Sequence, residues 1–490
     1  MSEHDPVAVK KAAFPYGCPS TESLIGGRRL AGERTFAVFD RYTRVKVADV
    51  SEATREQVAE AVRTARAAFG ASPPPYDRAR ILGRVGELIA TRRDALVDSM
   101  VTEAGFTPTD ALGELERALD TVQLSAEEAK RITGEMVPLD GNRGQQHRLG
   151  FTLRVPVGVV CAITPFNSPL NAVLHKIAPA LAAGNAVILK PSGHTPLTAS
   201  LLCDLFLEAG LPPELLALVH GDAEVGGWLL EEQGIDFYTF TGSTRVGRII
   251  QAGAGLRRTQ LELGSIASTV ICADADLDAA IPKVARASFR KAGQVCTSVQ
   301  RLYVERAVVE EVTQRLAEEA RAMPAGNPRD PAVRVGPMIT EAEAQRAEGW
   351  LAEATRSAAR IECGGTRAGA VLQPALLTGV RPGMKVIEEE IFAPVLSILP
   401  VASLREAIDG INAMRFGLAA GVFTRHLDQA FLAARTIKTG AVHINETSSS
   451  RLDGMPYGGV KDSGFGREGP RYAIREMSDE KVITISLSPV

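Results

Sequence analysis

The chain has 490 residues, 45% of them hydrophobic and 23% charged, with a formal net charge of −3. That length exceeds one hydrophobic core and predicts two or three domains. The near-neutral balance, without an arginine block or basic stripe, excludes the electrostatic footprint of a nucleic-acid binder.

The opening "MSEHDPVAVKKAAF" lacks the apolar core of a signal peptide, and Pro165 and Pro169 interrupt the most apolar region, so a soluble cytoplasmic protein with no membrane contact is expected. Residues 51–69 carry Val58, Val62, Ala65 and Phe69 at helical spacing behind Ser51 as a cap. Residues 77–104 continue as helix, and a further amphipathic helix ends near Gly134. From 151 the period changes. "GVVCAITP", "NAVILKP" and "LALVHG" read as short buried strands separated by apolar helices, one of them over 196–209 with Thr195 as cap and Pro196 at its first position. Such alternation predicts a parallel sheet covered on both faces. A second α/β series follows Glu262: a strand in "STVICADADL", a helix over 278–293, the strand "QRLYVE", helices over 307–322 and 340–358, then "AVLQPALLTGV" and "PVLSILPV". The segments 135–155 and 480–487 alternate as strands outside both series, which suits an arm that pairs with another subunit, because an uncovered edge strand is a liability.

Cys18, Cys161, Cys203, Cys272, Cys296 and Cys363 are scattered without a C-x-x-C pair, no H-E-x-x-H occurs, and no G-x-S-x-G is present. Disulfide framework, metal site and serine hydrolase are therefore not expected. "GFGREG" (464–469) matches G-x-G-x-x-G, but it follows a loop near the end of the chain rather than opening a βαβ unit, so it is not expected to hold a pyrophosphate.

Cys296, in "KAGQVCTS", reads on its own as a buried thiol. Other stretches change that weighing. "ITPFNSPL" puts Asn167 in a loop directly after a strand, at the ligand-binding end of a parallel sheet, where its amide either donates to an oxyanion or forms an Asx turn. "LKPSGHTPLTA" sets Lys190 at a strand end before a helix N-terminus, and "FTGSTRVG" offers a glycine-hydroxyl turn into another helix, both suited to phosphates. Glu262 lies between two leucines, an apolar setting that raises a carboxyl pKa and suits a general base.

Together "TPFN", "LKPS", "FTGS", "ELG" followed by the "GQVC" cysteine 34 residues after Glu262, "EEIFAPV" (389–395) and "MPYGGVKDSGFGREG" (455–469) resemble the aldehyde dehydrogenase superfamily over nearly the whole chain. The resemblance extends to the branch of succinate-semialdehyde, lactaldehyde, non-phosphorylating glyceraldehyde-phosphate and phosphonoaldehyde dehydrogenases. It implies an α/β fold with a Rossmann-like NAD(P)-binding domain (1–132 and 153–261), a catalytic α/β domain (262–465) and a small β-strand oligomerisation arm (133–152 and 470–490). Cys296 would be the nucleophile that forms a thiohemiacetal and then a thioester. Asn167 and the Cys296 backbone N–H would hold the oxyanion, and Glu262 would activate water, with Lys176 as proton-relay partner. Its glutamate implies a free acid as product rather than a coenzyme A thioester.

The cofactor would contact Ile163, Thr164 and Pro165, then Lys190, Ser192 and Gly193, with Gly221 and Gly226 nearby. Phe240, Thr241, Gly242, Ser243 and Val246 would follow at the pyrophosphate turn, Leu263 and Gly264 after the base, and Glu390 and Phe392 at the nicotinamide side. Gly193 stands where many NAD-preferring relatives carry a ribose-binding glutamate, so NAD is expected and NADP stays open. The aldehyde tunnel would be lined by Arg117, Ser168, His175, Arg290, Thr297, Arg451 and Tyr457. Arginines and a histidine in place of large aromatics suit a small anionic aldehyde (a semialdehyde, phospho-, phosphono- or hydroxyaldehyde). The arginines otherwise lie on solvated faces or pair with acids such as Glu114 and Glu116. A neutral or aromatic aldehyde substrate, a cofactor-independent cysteine thioesterase or esterase, and a non-catalytic binding protein are the alternatives. A homodimer or homotetramer is implied.

Overall fold

The computed structural model describes residues 16–488, so the opening stretch read for a signal peptide lies outside the described residues, as does the last part of the 470–490 segment. Two large sheets organise the chain. Val159–Ile163 (VVCAI) and Ala186–Lys190 (AVILK) are almost wholly buried along their length. Runs apolar on both faces are stable only as central strands covered from both sides. They sit in the middle of an eight-stranded sheet, with Leu216–Leu218, Phe237–Thr241 and Arg258–Glu262 parallel to them. Antiparallel strands, Ser23–Ile25 with Arg28–Leu30 at one side and Gly464–Phe465 at the other, close its edges. The second sheet has seven strands; Ala375–Thr378, Val395–Val401, Val299–Glu305, Ala267–Ile271, Ala419–Phe423 and Ala441–Ile444 run parallel, and Arg360–Cys363 pairs antiparallel at one edge.

Several helix limits differ from the sequence reading, each for a local reason. Thr54, not Ser51, caps Arg55–Ala68: its hydroxyl accepts from the Gln57 N–H and the Gln57 side chain accepts from the Thr54 N–H. Ser51 instead ends the strand Lys46–Ser51. The 77–104 stretch is two helices, Pro75–Thr91 and Arg93–Ala104, broken where Arg92 leaves helical geometry at φ −95° and ψ 19°. The next helix, Pro108–Ala129, stops short of Gly134. Thr195 precedes Pro196–Glu208 without a side-chain cap; the buried Glu103 carboxylate accepts from the Leu197 and Thr198 N–H groups instead. Leu277–Phe289 ends before 293 because Lys291, Ala292 and Gly293 take positive φ values of 51°, 53° and 67°.

Outside the sheets, Ser478–Ser486 pairs antiparallel with Arg148–Pro156 along its whole length, leaving Leu149, Leu153, Val482 and Ile485 exposed. The helix Pro470–Glu476 packs inward, with Ala473, Ile474 and Met477 in the first core. Among the described residues no helix is long and apolar enough to cross a membrane.

Parallel strands align their carboxyl ends, so Ile163 stands beside Lys190, Phe240 beside Ile163 and Thr241 beside Glu262. Cys296 precedes the amino end of Val299–Glu305 in the other sheet. Thr54→Ala should lower the free energy of unfolding by about 1 kcal/mol, read as a urea midpoint. No change in midpoint would show that Thr54 is not the cap.

Candidate active site

The strand ends gather the expected cofactor residues around one opening. Thr164 is buried with no hydrogen-bond partner for its hydroxyl. Lys190 is 8% exposed, its Nζ reaches only the Pro191 carbonyl at 3.4 Å, and burial lowers its pKa to about 8. Ser192 Oγ accepts from the His194 N–H, and Gly193 faces open space, a Cβ there meeting only Phe36 at 3.8 Å. A Cβ at Gly226 would come 3.8 Å from Lys190 Cε, and Gly221, at φ 150°, turns the chain after Leu216–Leu218. Ser243 caps Thr244–Ala254 by accepting from the Val246 N–H.

A cavity of about 280 Å³ runs past Gly242, Ser243, Leu263, Gly264, Glu390 and Phe392. Phe240 folds its ring under Gly242, where a Cβ would approach to 2.5 Å. Glu390 accepts from the Ser265 N–H through Oε1 at 2.9 Å, and burial pushes its pKa up to about 7. Its Oε2 lies 2.9 Å from where a Gly264 Cβ would stand, so a side chain there would displace the carboxylate. Phe166 meets the Phe392 ring edge-on at 5.9 Å. A cavity lined by Gly242, Gly264 and Glu390, with an unpartnered Thr164 hydroxyl and an under-partnered Lys190 ammonium at the neighbouring strand ends, fits a dinucleotide.

A second, smaller cavity of about 60 Å³ contains Arg117, Ser168, His175, Arg290, Thr297, Arg451 and Tyr457, with Pro165 at its rim. Among the described residues, only Asn167, Thr241, Glu262 and Cys296 line both cavities. Cys296 Sγ lies 2.9 Å from the Tyr457 hydroxyl. Burial, and then the neighbouring Glu262, push the thiol well above its ordinary pKa, while the Tyr457 hydrogen bond works the other way. Asn167 Nδ2 donates to the Gln294 carbonyl at 2.8 Å, which fixes the amide and leaves its second N–H free. Glu262 is 4% exposed, its Oε1 has no hydrogen-bond partner, and burial followed by the charge of Glu468 pushes its pKa up to about 7.

Glu468 was not singled out by the sequence. Its Oε1 accepts from Lys176 Nζ at 2.7 Å and its Oε2 from Arg451 Nη2 at 2.9 Å. Burial opposes its ionisation, but Lys176 and then Arg451 hold it well below the usual carboxylate range. It belongs to "GFGREG", whose glycines at 464, 466 and 469 all have positive φ and let the loop lie against Leu261 and Met455. The pattern thus seats a buried carboxylate. Its acidic residue inside a glycine-rich loop was the available signal.

Asp453 was missed as well. It accepts from Arg117 Nε and Nη2 at 3.0 and 2.8 Å, from Asn171 Nδ2 at 2.9 Å, and lies 2.7 Å from His175 Nε2. Burial lowers the His175 pKa to about 4. Arg451 is bound to Glu468 and stacks over Tyr457, 3.7 Å from the ring centroid. Arg290 differs from these two. Among the described residues it has no carboxylate within ion-pair distance, and its Nη2 donates to Ser449 Oγ at 2.8 Å. Ser449 also contacts Thr297 Oγ1 at 3.1 Å, so the free guanidinium borders the residue next to Cys296.

A thiol, an amide donor and a carboxyl poised near neutrality thus converge where two cavities meet. Residues 29–483 match the model of the aldehyde dehydrogenase family. The chain belongs to that family. It is an oxidoreductase acting on aldehydes, and a nicotinamide cofactor is common to its kind. It is 46% identical over 451 residues to the 3-sulfolactaldehyde dehydrogenase of Priestia aryabhattai, covering 92% of this chain and 94% of that one. Among solved structures, aldehyde dehydrogenase 21 from Physcomitrella patens in complex with the product succinate superposes with a TM-score of 0.93 at 33% identity, covering 96% of this chain and 99% of that chain. The glyceraldehyde-3-phosphate dehydrogenase from Methanocaldococcus jannaschii complexed with NADP gives 0.89 at 34% identity, covering 93% and 100%.

A carboxyl with a pKa raised to about 7 is protonated below that pH and takes a proton from water only above it. The acid-forming step should therefore rise with pH through about 7 and level off above. Glu262→Gln should remove that limb and slow the step by about 100-fold or more. An unchanged profile, read by stopped flow, would assign the limb to another group.

Proposed function

We propose that this chain oxidises a small anionic aldehyde to its free carboxylic acid through a thioester on Cys296. The observation that carries the reading is Arg290, a half-buried guanidinium with the Asp110 charge nearby but no ion pair among the described residues, in the same small cavity as the thiol. A guanidinium that borders a cavity without a paired carboxylate keeps N–H donors free, and it binds carboxylate, phosphate or sulfonate through such paired donors. The cavity volume of about 60 Å³ suits a short tail.

In this reading Cys296, once deprotonated, attacks the carbonyl carbon, and the free N–H of Asn167 with the Cys296 backbone N–H stabilises the oxyanion. Glu262, beside the thiol, takes its proton and later that of the attacking water, and Lys176 with Glu468 offers the proton a buried route onward. A bound nicotinamide supplies the acceptor for the hydride leaving the substrate carbon. Ser243, Lys190, Glu390 and Phe392 would hold it, within a first domain of 1–132 and 153–261 set against a catalytic domain of 262–465. The larger cavity opening directly onto Cys296 favours this over an esterase that works without a cofactor. A homodimer or homotetramer in the cytoplasm completes the reading, supported by the apolar side chains exposed on the arm formed by Arg148–Pro156 and Ser478–Ser486.

Absorbance at 340 nm with length-matched acidic and neutral aldehydes tests the substrate class. Arg290→Leu should raise KM for the acidic aldehyde by about 10- to 100-fold, the worth of a charged hydrogen bond, and leave the neutral one nearly unchanged. Equal effects would remove the anion site. For the cofactor, Gly193→Glu should raise KM for NADP about tenfold or more, because a carboxylate there repels a 2′-phosphate, while NAD is affected far less. Parallel losses would mean that position 193 lies away from the ribose.

A further inference from the structure

Three consecutive residues before the thiol, Lys291, Ala292 and Gly293, occupy the left-handed region, and only the last is a glycine. Left-handed non-glycine residues are uncommon, and they persist where the surroundings over-determine them. Lys291 supplies those surroundings. Its N–H donates to Asp110 Oδ2 at 3.3 Å and its carbonyl accepts from Gln294 Nε2 at 3.2 Å. Its ammonium, 4.1 Å from the centroid of the Phe106 ring, donates to the Glu114 carboxylate and, at 3.1 Å, to the Asn167 carbonyl. Glu114 is committed on its other oxygen. Oε1 accepts from the Leu170 N–H at 2.9 Å and the Asn171 N–H at 3.2 Å, at the start of the helix Asn171–Ala183 that follows the Asn167 loop. Both side chains are buried.

Asn167 is consequently held at two points by one short segment. Lys291 grips its backbone carbonyl, and the Gln294 carbonyl, two residues before Cys296, grips its side-chain amide. Gln294 is anchored in turn, because its Oε1 accepts from the Ile339 N–H at 2.9 Å. Asn167 follows a strand of the eight-stranded sheet and Cys296 precedes a strand of the seven-stranded one. Two loops from different sheets thus share one buried ion pair. An oxyanion donor displaced by a fraction of an ångström loses most of its effect.

We propose that Glu114 and Lys291 form a positioning pair that sets the Asn167 amide relative to Cys296 and so assembles the oxyanion site; this rests on the roles proposed above for Asn167 and Cys296. The pair acts through Asn167 and not on the thiol itself. Lys291→Met should cut the rate of the first-turnover NADH burst by about 10- to 100-fold, a misplaced donor costing up to what a deleted one does. KM for the nucleotide should stay within about twofold, since no cofactor contact is touched. Lys291→Arg should recover most of the rate by restoring the charge. Alkylation of Cys296 by iodoacetamide, corrected with a Cys296→Ala control, passes through no oxyanion and should be unaffected.

The decisive measurement is the double-mutant cycle. If Lys291 works through Asn167, Asn167→Ala with Lys291→Met should be no slower in the burst than Asn167→Ala alone. Additive losses, or alkylation slowing in step with the burst, would mean that Lys291 merely holds the fold, and the inference fails. A normal burst in Lys291→Met with a slow one in Asn167→Ala also overturns it, while the role of Asn167 stands. A normal burst in Asn167→Ala overturns that role instead. Should Lys291→Met fail to fold, Glu114→Gln keeps an oxygen for the two backbone N–H groups, removes the charge, and should slow the burst in the same direction.

Discussion

Everything around the thiol depends on one buried carboxylate, Glu468, clamped between Lys176 and Arg451. Two cations on one anion leave a net positive charge in a dry place, and that is what tolerates a second carboxylate beside it. Glu262 is the second carboxylate, and it has no such clamp. Burial and the fixed charge of Glu468 push its pKa up to about 7, while Lys176 and Arg451 keep it from rising further. Two glutamates in one pocket thus acquire opposite characters from their partners alone, one permanently ionised and the other poised to exchange a proton. Cys296 feels the same field. Burial and the charge of Glu262 push its thiol well above the ordinary range, while Tyr457 and Arg451 work the other way.

The sheets make this arrangement possible by bringing unlike ends together. The carboxyl ends of parallel strands in the first sheet carry Lys190, Thr241 and Glu262, while the second sheet contributes the turn before its strand Val299–Glu305. Neither sheet alone holds both Glu262 and Cys296. Glu468 arrives on a third piece, the loop after Gly464–Phe465, whose edge pairing with Arg258–Glu262 sets it against the strand bearing the base. The register Glu262 to Gly464 fixes how far that loop reaches.

The parallel strands were legible in the sequence because a buried strand has no polar face to hide. The cavity-lining residues were legible because each stands in a short motif of distinctive composition: Asn167 in "TPFN", Glu262 in "ELG", Cys296 in "GQVC". Long-range carboxylates were not. Glu114, Glu468 and Asp453 look in the sequence like ordinary surface acids, and what makes them matter is a partner 177, 292 or 336 residues away. Helix ends were misjudged for a related reason. Ser51 and Thr195 had the right chemistry for caps, but Ser51 belongs to a strand and the cap of Pro196–Glu208 comes from Glu103, far off in sequence.

The three tunnel arginines show how tertiary pairing sorts residues that look alike in a sequence. Arg117 is matched in a bidentate pair by Asp453, which also engages Asn171 and His175, so its charge holds the wall of the cavity together. Arg451 is matched by Glu468 and stacked on Tyr457, so it bears on the pKa of the base and, through the ring, on the position of the hydroxyl beside the thiol. Arg290 donates to Ser449 and has Asp110 nearby, without an ion pair among the described residues. A half-buried guanidinium hydrogen-bonded to a neutral hydroxyl, with Asp110 nearby but not paired to it, keeps donors for an anion in the cavity it borders. The chain therefore separates two settings of positive charge within one small site, paired with carboxylates at Arg117 and Arg451 and without an ion pair among the described residues at Arg290.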